Sequence, residues 1–161
     1  ELVSSGQLEN IGSLAATTAG RISTKPTAAT RADLRTFAQR VGHPIYWAGP
    51  KPGYTYELST TSNGSVFIRY LPPGVGVGDA RARYLTVATY PFPGALAAVE
   101  RTANDGTRIE LDRGGVGVVD SAYPKSIHLA YPGSDYQIEV YDPSPSAGRK
   151  LVASGAISPV P

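Results

Sequence analysis

Cysteine is absent from the 161 residues, which excludes a disulfide framework and any thiolate-held metal. Methionine is absent as well, and the chain starts at Glu1. Together these point to a processed or trimmed product, with any anchor preceding Glu1. Charge is sparse: 17% of residues are charged and the net charge is +2. Lysine and arginine are scattered along the chain, without the concentrated positive face that nucleic-acid binding requires, so that class is set aside. No apolar run approaches the roughly 20 residues of a membrane span, or the core of a signal peptide. What remains is 41% hydrophobic residues, enough for the core of one domain, and an outer vocabulary of Ser, Thr, Gly, Tyr and Pro. That vocabulary suits a location outside the cytoplasm, secreted or membrane-anchored at the cell surface.

Residues 1–29 differ from the rest. Small residues from Ser13 to Gly20 and the Lys25-Pro26-Thr27 stretch read as an extended or partly helical linker. Leu8, Ile11, Leu14 and Ile22 could line one side of it and dock on a neighbour, which makes them the candidate assembly residues. A single α+β domain is expected over 30–161. Thr30 and Asp33 have capping-box spacing, and Leu34, Phe37, Ala38 and Val41 form the stripe of a helix that Gly42 and Pro44 stop. Strands follow at 54–58, 66–70 and 85–90. A three-residue loop ending at Gly64 pairs Leu58 with Ile68 and Tyr56 with Tyr70, keeping the apolar side chains on one face. A second helix spans Ala95 to Ala103. Ile109 and Leu111 are expected to pair with Val118 and Val116 through Gly114-Gly115, and Ile127 and Leu129 with Val140 and Ile138. Ser144-Pro145 opens a short helix, and Ile157 to Val160 is expected as an edge strand. The fold class is therefore α+β, a largely antiparallel sheet of hairpins with two to three helices packed on one face. Leu34, Phe37, Val41, Leu58, Ile68, Ile109, Leu129 and Ile138 should share the core.

Catalytic groups are few. His43 follows a helix end, where an imidazole answers the last carbonyls. His128 is expected on an outward face opposite Glu139, an exposed cross-strand pair with no nucleophile beside it; its replacement by Ala should leave folding nearly unchanged. The acidic residues around the two later hairpins lack the convergent spacing of a hard-cation loop, so no metal and no cofactor is expected. Gly74 to Asp79 is glycine-rich but leads into a strand where a phosphate loop needs a helix; Arg81 and Arg83 beside it could hold an anion. Asn63-Gly64-Ser65 is explained by its turn. Ten tyrosines and one tryptophan against three phenylalanines combine contact area with a polar handle. Tyr46, Trp47, Tyr54 and Tyr141 join Arg81 and Arg83 as candidate ligand-binding residues.

The segments 42–50, 52–54, 66–74, 129–135 and 140–144, beginning Gly42-His43-Pro44-Ile45-Tyr46-Trp47, resemble a family of uncharacterised domains. These stand at the extracytoplasmic ends of membrane-anchored proteins in high-GC Gram-positive bacteria, some attached to anti-sigma-factor-like proteins. The resemblance covers roughly 31–161 and implies an α+β sheet similar to that of lipoprotein carriers, whose concave apolar face would suit lipid. It carries no activity onto any residue. The expectation is a non-enzymatic binding or sensing domain for a protein, glycan or lipid ligand. The alternative is a structural subunit of an extracellular filament or assembly, with its N-terminal segment docked on the next copy.

Overall fold

Period-two alternation gives each strand two unlike sides, and a computed structural model describing residues 25–161 shows where both sides go. In chain order the elements are β1 (Thr27–Ala29), α1 (Arg31–Val41), β2 (Tyr46–Trp47), β3 (Thr55–Thr60), β4 (Val66–Leu71) and β5 (Thr86–Pro91). Then come α2 (Ala95–Ala103), β6 (Thr107–Glu110), a 3-10 turn (Asp112–Gly114), β7 (Val116–Val119), β8 (Ser126–Ala130), β9 (Tyr136–Tyr141), α3 (Pro145–Ala153) and β10 (Ser158–Pro159). Eight strands form one antiparallel sheet in the order β1-β3-β4-β5-β9-β8-β7-β6, and β10 pairs with β2 in a separate ribbon. The fold is α+β.

Local chemistry sets the helix ends. The Thr30 side chain accepts from the Asp33 amide at 3.1 Å, and the Thr30 amide donates to the Asp33 carboxylate at 2.8 Å. Gly42 closes α1 at a positive φ of 71°, donating to the Ala38 carbonyl. Ser144 caps α3 with Pro145 in its first turn. β3 and β4 pair Leu58 with Ile68 and Tyr56 with Tyr70, and β8 and β9 pair Ile127 with Val140 and Leu129 with Ile138, as expected.

One register differs. Ile109 lies opposite Gly117 instead of Val118, because the connection is not a two-residue Gly-Gly turn. Arg113 enters the left-handed region at φ 57°, the Leu111 amide bonds the Gly115 carbonyl, and the extra residue slips the pairing by one. Ile109 thereby joins the main core while Val116 and Val118 turn to the opposite face.

α1 and α3 cover the apolar face, where Leu34 and Val152 meet Ile68, Val87, Val119, Ile127, Leu129, Ile138 and Val140. All eight expected core residues belong to this cluster, four of them half-buried: Phe37, Val41, Leu58 and Ile109. α2 departs from the single-face expectation. It lies on the other side of the sheet, with Ala95 and Val99 against Val116, Val118 and Ala130. The C-terminal strand also differs: β10 pairs with β2, and the Val160 amide donates to the Ile45 carbonyl at 2.8 Å. At the other end, β1 is extended and docked on β3, so the sheet begins ahead of the boundary expected at Thr30. Leu8, Ile11, Leu14 and Ile22 lie outside the described residues.

Candidate functional site

Where the apolar face runs out at the β8–β9 turn, it opens into a cleft of about 440 Å³. Its walls come from three places: Pro44 and Tyr46 ahead of and within β2, Arg113 in the 3-10 turn, and the Tyr131–Tyr136 turn. The Tyr46 and Tyr131 rings are parallel to within 6°, with centroids 5.9 Å apart. Tyr136 is stacked on His43 at 4.5 Å. His43 therefore does not cap α1; its Nδ1 donates to the Pro44 carbonyl at 3.0 Å and its ring backs the cleft wall.

Two glycines make room for this arrangement. At Gly115 a Cβ would stand 2.5 Å from the Tyr131 ring, so any side chain there would displace the tyrosine. Gly133, at φ 72°, lets the chain reverse between Tyr131 and Tyr136. Arg113 is the one non-glycine residue at positive φ among those described. That conformation costs roughly 1 kcal/mol that glycine would not incur. It sets the guanidinium 5.2 Å from the Tyr131 ring centre, the geometry of a cation–π contact. Among the described residues, Arg113 forms no ion pair with a carboxylate. Burial pushes the Tyr46 and Tyr131 phenols above their ordinary value, with Arg113 opposing the shift in both. Both are neutral hydroxyl donors at physiological pH.

A second constellation lies on the opposite face, and here an expectation needs correction. His128 does sit across from Glu139, but neither is exposed: they are 3% and 4% accessible. Glu139 takes hydrogen bonds from the Tyr90 hydroxyl at 2.7 Å and the Ser126 hydroxyl at 2.8 Å. Burial nevertheless pushes its carboxyl up to about 7. His128 is pushed down to about 4 by burial; among the described residues its Nδ1, Gln137 Oε1 and Ser59 Oγ have no hydrogen-bond partner. No hydrogen bond joins Glu139 to His128 among the described residues, so Glu139 does not orient the imidazole as a general base.

The remaining candidate residues are dispersed. Trp47 is enclosed at 2% exposure, edge-on to Tyr56 with Arg31 over its ring. Tyr54 lies under Lys51, and the Tyr141 hydroxyl donates to the Ala82 carbonyl. Arg81 is paired with Asp79, whose carboxyl it holds well below the usual range; Arg83 is exposed on the same loop. That glycine-rich loop is tied down by Glu57, which accepts from the Gly78 amide at 2.6 Å and meets Arg69 at 3.1 Å. Of the six candidates only Tyr46 reaches the cleft. Arg113, Tyr131, Ser134, Asp135 and Tyr136 join it, and sequence reasoning passed them over as turn chemistry. The available signal was an arginine followed by two glycines, opposite a tyrosine pair that flanks Pro-Gly-Ser-Asp. Among the described residues no group of acidic, histidine or cysteine side chains could hold a metal, and no helix is long and apolar enough to cross a membrane. Comparison with protein-family models, curated proteins and solved structures finds no match to this chain.

Proposed function

We propose that this chain is a non-enzymatic binding or sensing domain displayed outside the cytoplasm, with the Tyr46–Tyr131–Arg113 cleft as its ligand site. One observation carries the reading: a guanidinium without an ion pair among the described residues, held on a strained backbone at the mouth of an aromatic cleft. Strain of this kind is retained where it positions a group for use. The outer vocabulary of Ser, Thr, Gly, Tyr and Pro supports the location. A lipid ligand is less well supported, because the apolar face is filled by side chains of α1, α3 and the β2–β10 ribbon. The test is an amide NMR titration of the protein with mixed peptide and oligosaccharide libraries. A binding domain shifts Gly114, Gly133 and Ser134 together; a cleft that answers to no member of either library sinks the reading.

The structural-subunit reading keeps one observation of its own. The sheet ends in β1 on one side and β6 on the other, each paired along a single edge among the described residues. Light-scattering mass across a concentration series decides it: a monomer throughout favours the binding domain, and growth with concentration favours assembly.

A further inference from the structure

We propose that the cleft takes an acidic sugar, a ring bearing one carboxylate and several hydroxyls; the proposal rests on the cleft being a ligand site. Arg113 is the only cationic side chain among the lining residues, and among the described residues it has no ion-pair partner that would neutralise it. Beside it stand two phenols, Tyr46 and Tyr131. A guanidinium flanked by neutral hydroxyl donors is a receptor for a planar oxyanion, which the guanidinium fork matches with two parallel hydrogen bonds.

The rest of the lining limits what carries that oxyanion. Asp135 contributes the one carboxylate, so the cleft holds one positive and one negative charge. A phosphate dianion would gain from Arg113 and lose to Asp135; a singly charged carboxylate with hydroxyls can satisfy both. Asp135 accepts from hydroxyls, and Ser134 can both donate and accept. Pro44 and Pro132 supply saturated surface for the C–H face of a sugar ring. A volume of about 440 Å³ lies within the range of small-molecule sites, roughly 300–1,000 Å³. A proline-rich peptide fits less well, since such segments dock on open aromatic faces. Here Tyr136 has one face against His43, and Tyr131 has Arg113 over its ring.

The experiment is a panel of immobilised oligosaccharides carrying uronate, sialate or only neutral sugars, with calorimetry on each hit. Arg113→Gly removes the guanidinium while relieving the backbone. Acidic members are expected to bind, their neutral counterparts at least ten-fold more weakly. Arg113→Gly should lower affinity for the hit at least ten-fold with an unchanged or higher melting temperature. Equal binding of neutral and acidic members overturns the proposal, as does a hit indifferent to Arg113→Gly. Inorganic phosphate displacing the hit at lower concentration than free glucuronate also overturns it. If no glycan binds but a proline-rich peptide shifts the cleft amides in an Arg113-dependent way, the sugar assignment falls and the ligand site stands. If neither those probes nor the mixed libraries move the cleft, both fall.

Discussion

The two sides of the main sheet are built on different principles. On one, Leu129, Ile138, Val140 and Ile68 meet α1 and α3 with almost no polar atom among them. On the other, the same strands bury Glu139, His128, Gln137 and Ser126, and two of them, His128 at Nδ1 and Gln137 at Oε1, lack a hydrogen-bond partner among the described residues. Both sides exclude water, yet the first gains from doing so and the second carries a desolvation cost. Burial alone therefore does not measure what a surface contributes. The apolar side holds the fold and opens at its margin into the cleft. The polar side makes the fold respond to protons.

The largest effect that could break this contrast is a truncation on the apolar side. Leu129→Ala should cost about 2–5 kcal/mol of stability in urea unfolding, because Leu129 is fully buried and the surrounding core relaxes only in part around the void. A loss below 1 kcal/mol would mean that this side is not the principal core.

The polar side should show itself in pH dependence. The carboxyl of Glu139 goes from 4.5 in the unfolded chain to about 7 in the fold, so between those values the folded state holds the extra proton and stability falls as pH rises. His128 works the other way. Between about 4 and 6.5 the unfolded chain holds the extra proton, and stability rises with pH. In the intact protein the two slopes oppose each other from pH 4.5 to 6.5. Glu139→Gln should uncover the rising limb and His128→Gln the falling one, each on the order of 3 kcal/mol at about 1.4 kcal/mol per pKa unit. Parallel pH profiles for the two variants would show that the groups do not titrate as their burial requires. The buried position of His128 also withdraws the expectation that His128→Ala is silent.

Gly115→Ala sharpens the boundary between core and cleft. Its Cβ must move the Tyr131 ring, at a cost of about 1–3 kcal/mol, and ligand affinity should fall with it. An unchanged melting temperature would show the ring free to swing aside. Arg113→Gly is the smallest of the series, a gain of about 1 kcal/mol or less in thermal unfolding. A clear loss would make Arg113 a structural residue.

How far the sequence could be read follows the same division. Elements whose causes are local were legible: Thr30 with Asp33, the Gly42 stop, Ser144-Pro145 and the Gly64 loop each act within a few residues. The β6–β7 slip was not, because Arg113 adopts a conformation that most side chains avoid, and a Gly-Gly pair reads more simply as the turn itself. The burial of His128 and Glu139 was not legible either. Their pairing follows from strand register, but what covers that face follows from where distant segments pack. The cleft was visible only as one residue, Tyr46, since its other walls come from turns far apart in the chain.

The β2–β10 ribbon has a consequence for the order in which the protein is made. By Pro91 the strands β3, β4 and β5 are complete, yet Val87 waits for Val140, and the segment carrying Tyr46 waits for Ser158 and Pro159. Contacts so distant in sequence close late, after their loop entropy is met by the rest of the core. A chain interrupted before Ser158 is expected to hold a sheet whose Tyr46 wall is still loose, open to protease between α1 and β3. Emergence of Ser158 and Pro159 should abolish that cut, and limited proteolysis of ribosome-bound chains of increasing length would record it. The Pro161 carbonyl, accepting from Arg35 Nε at 2.9 Å, adds a tie from the segment after β10 back to α1.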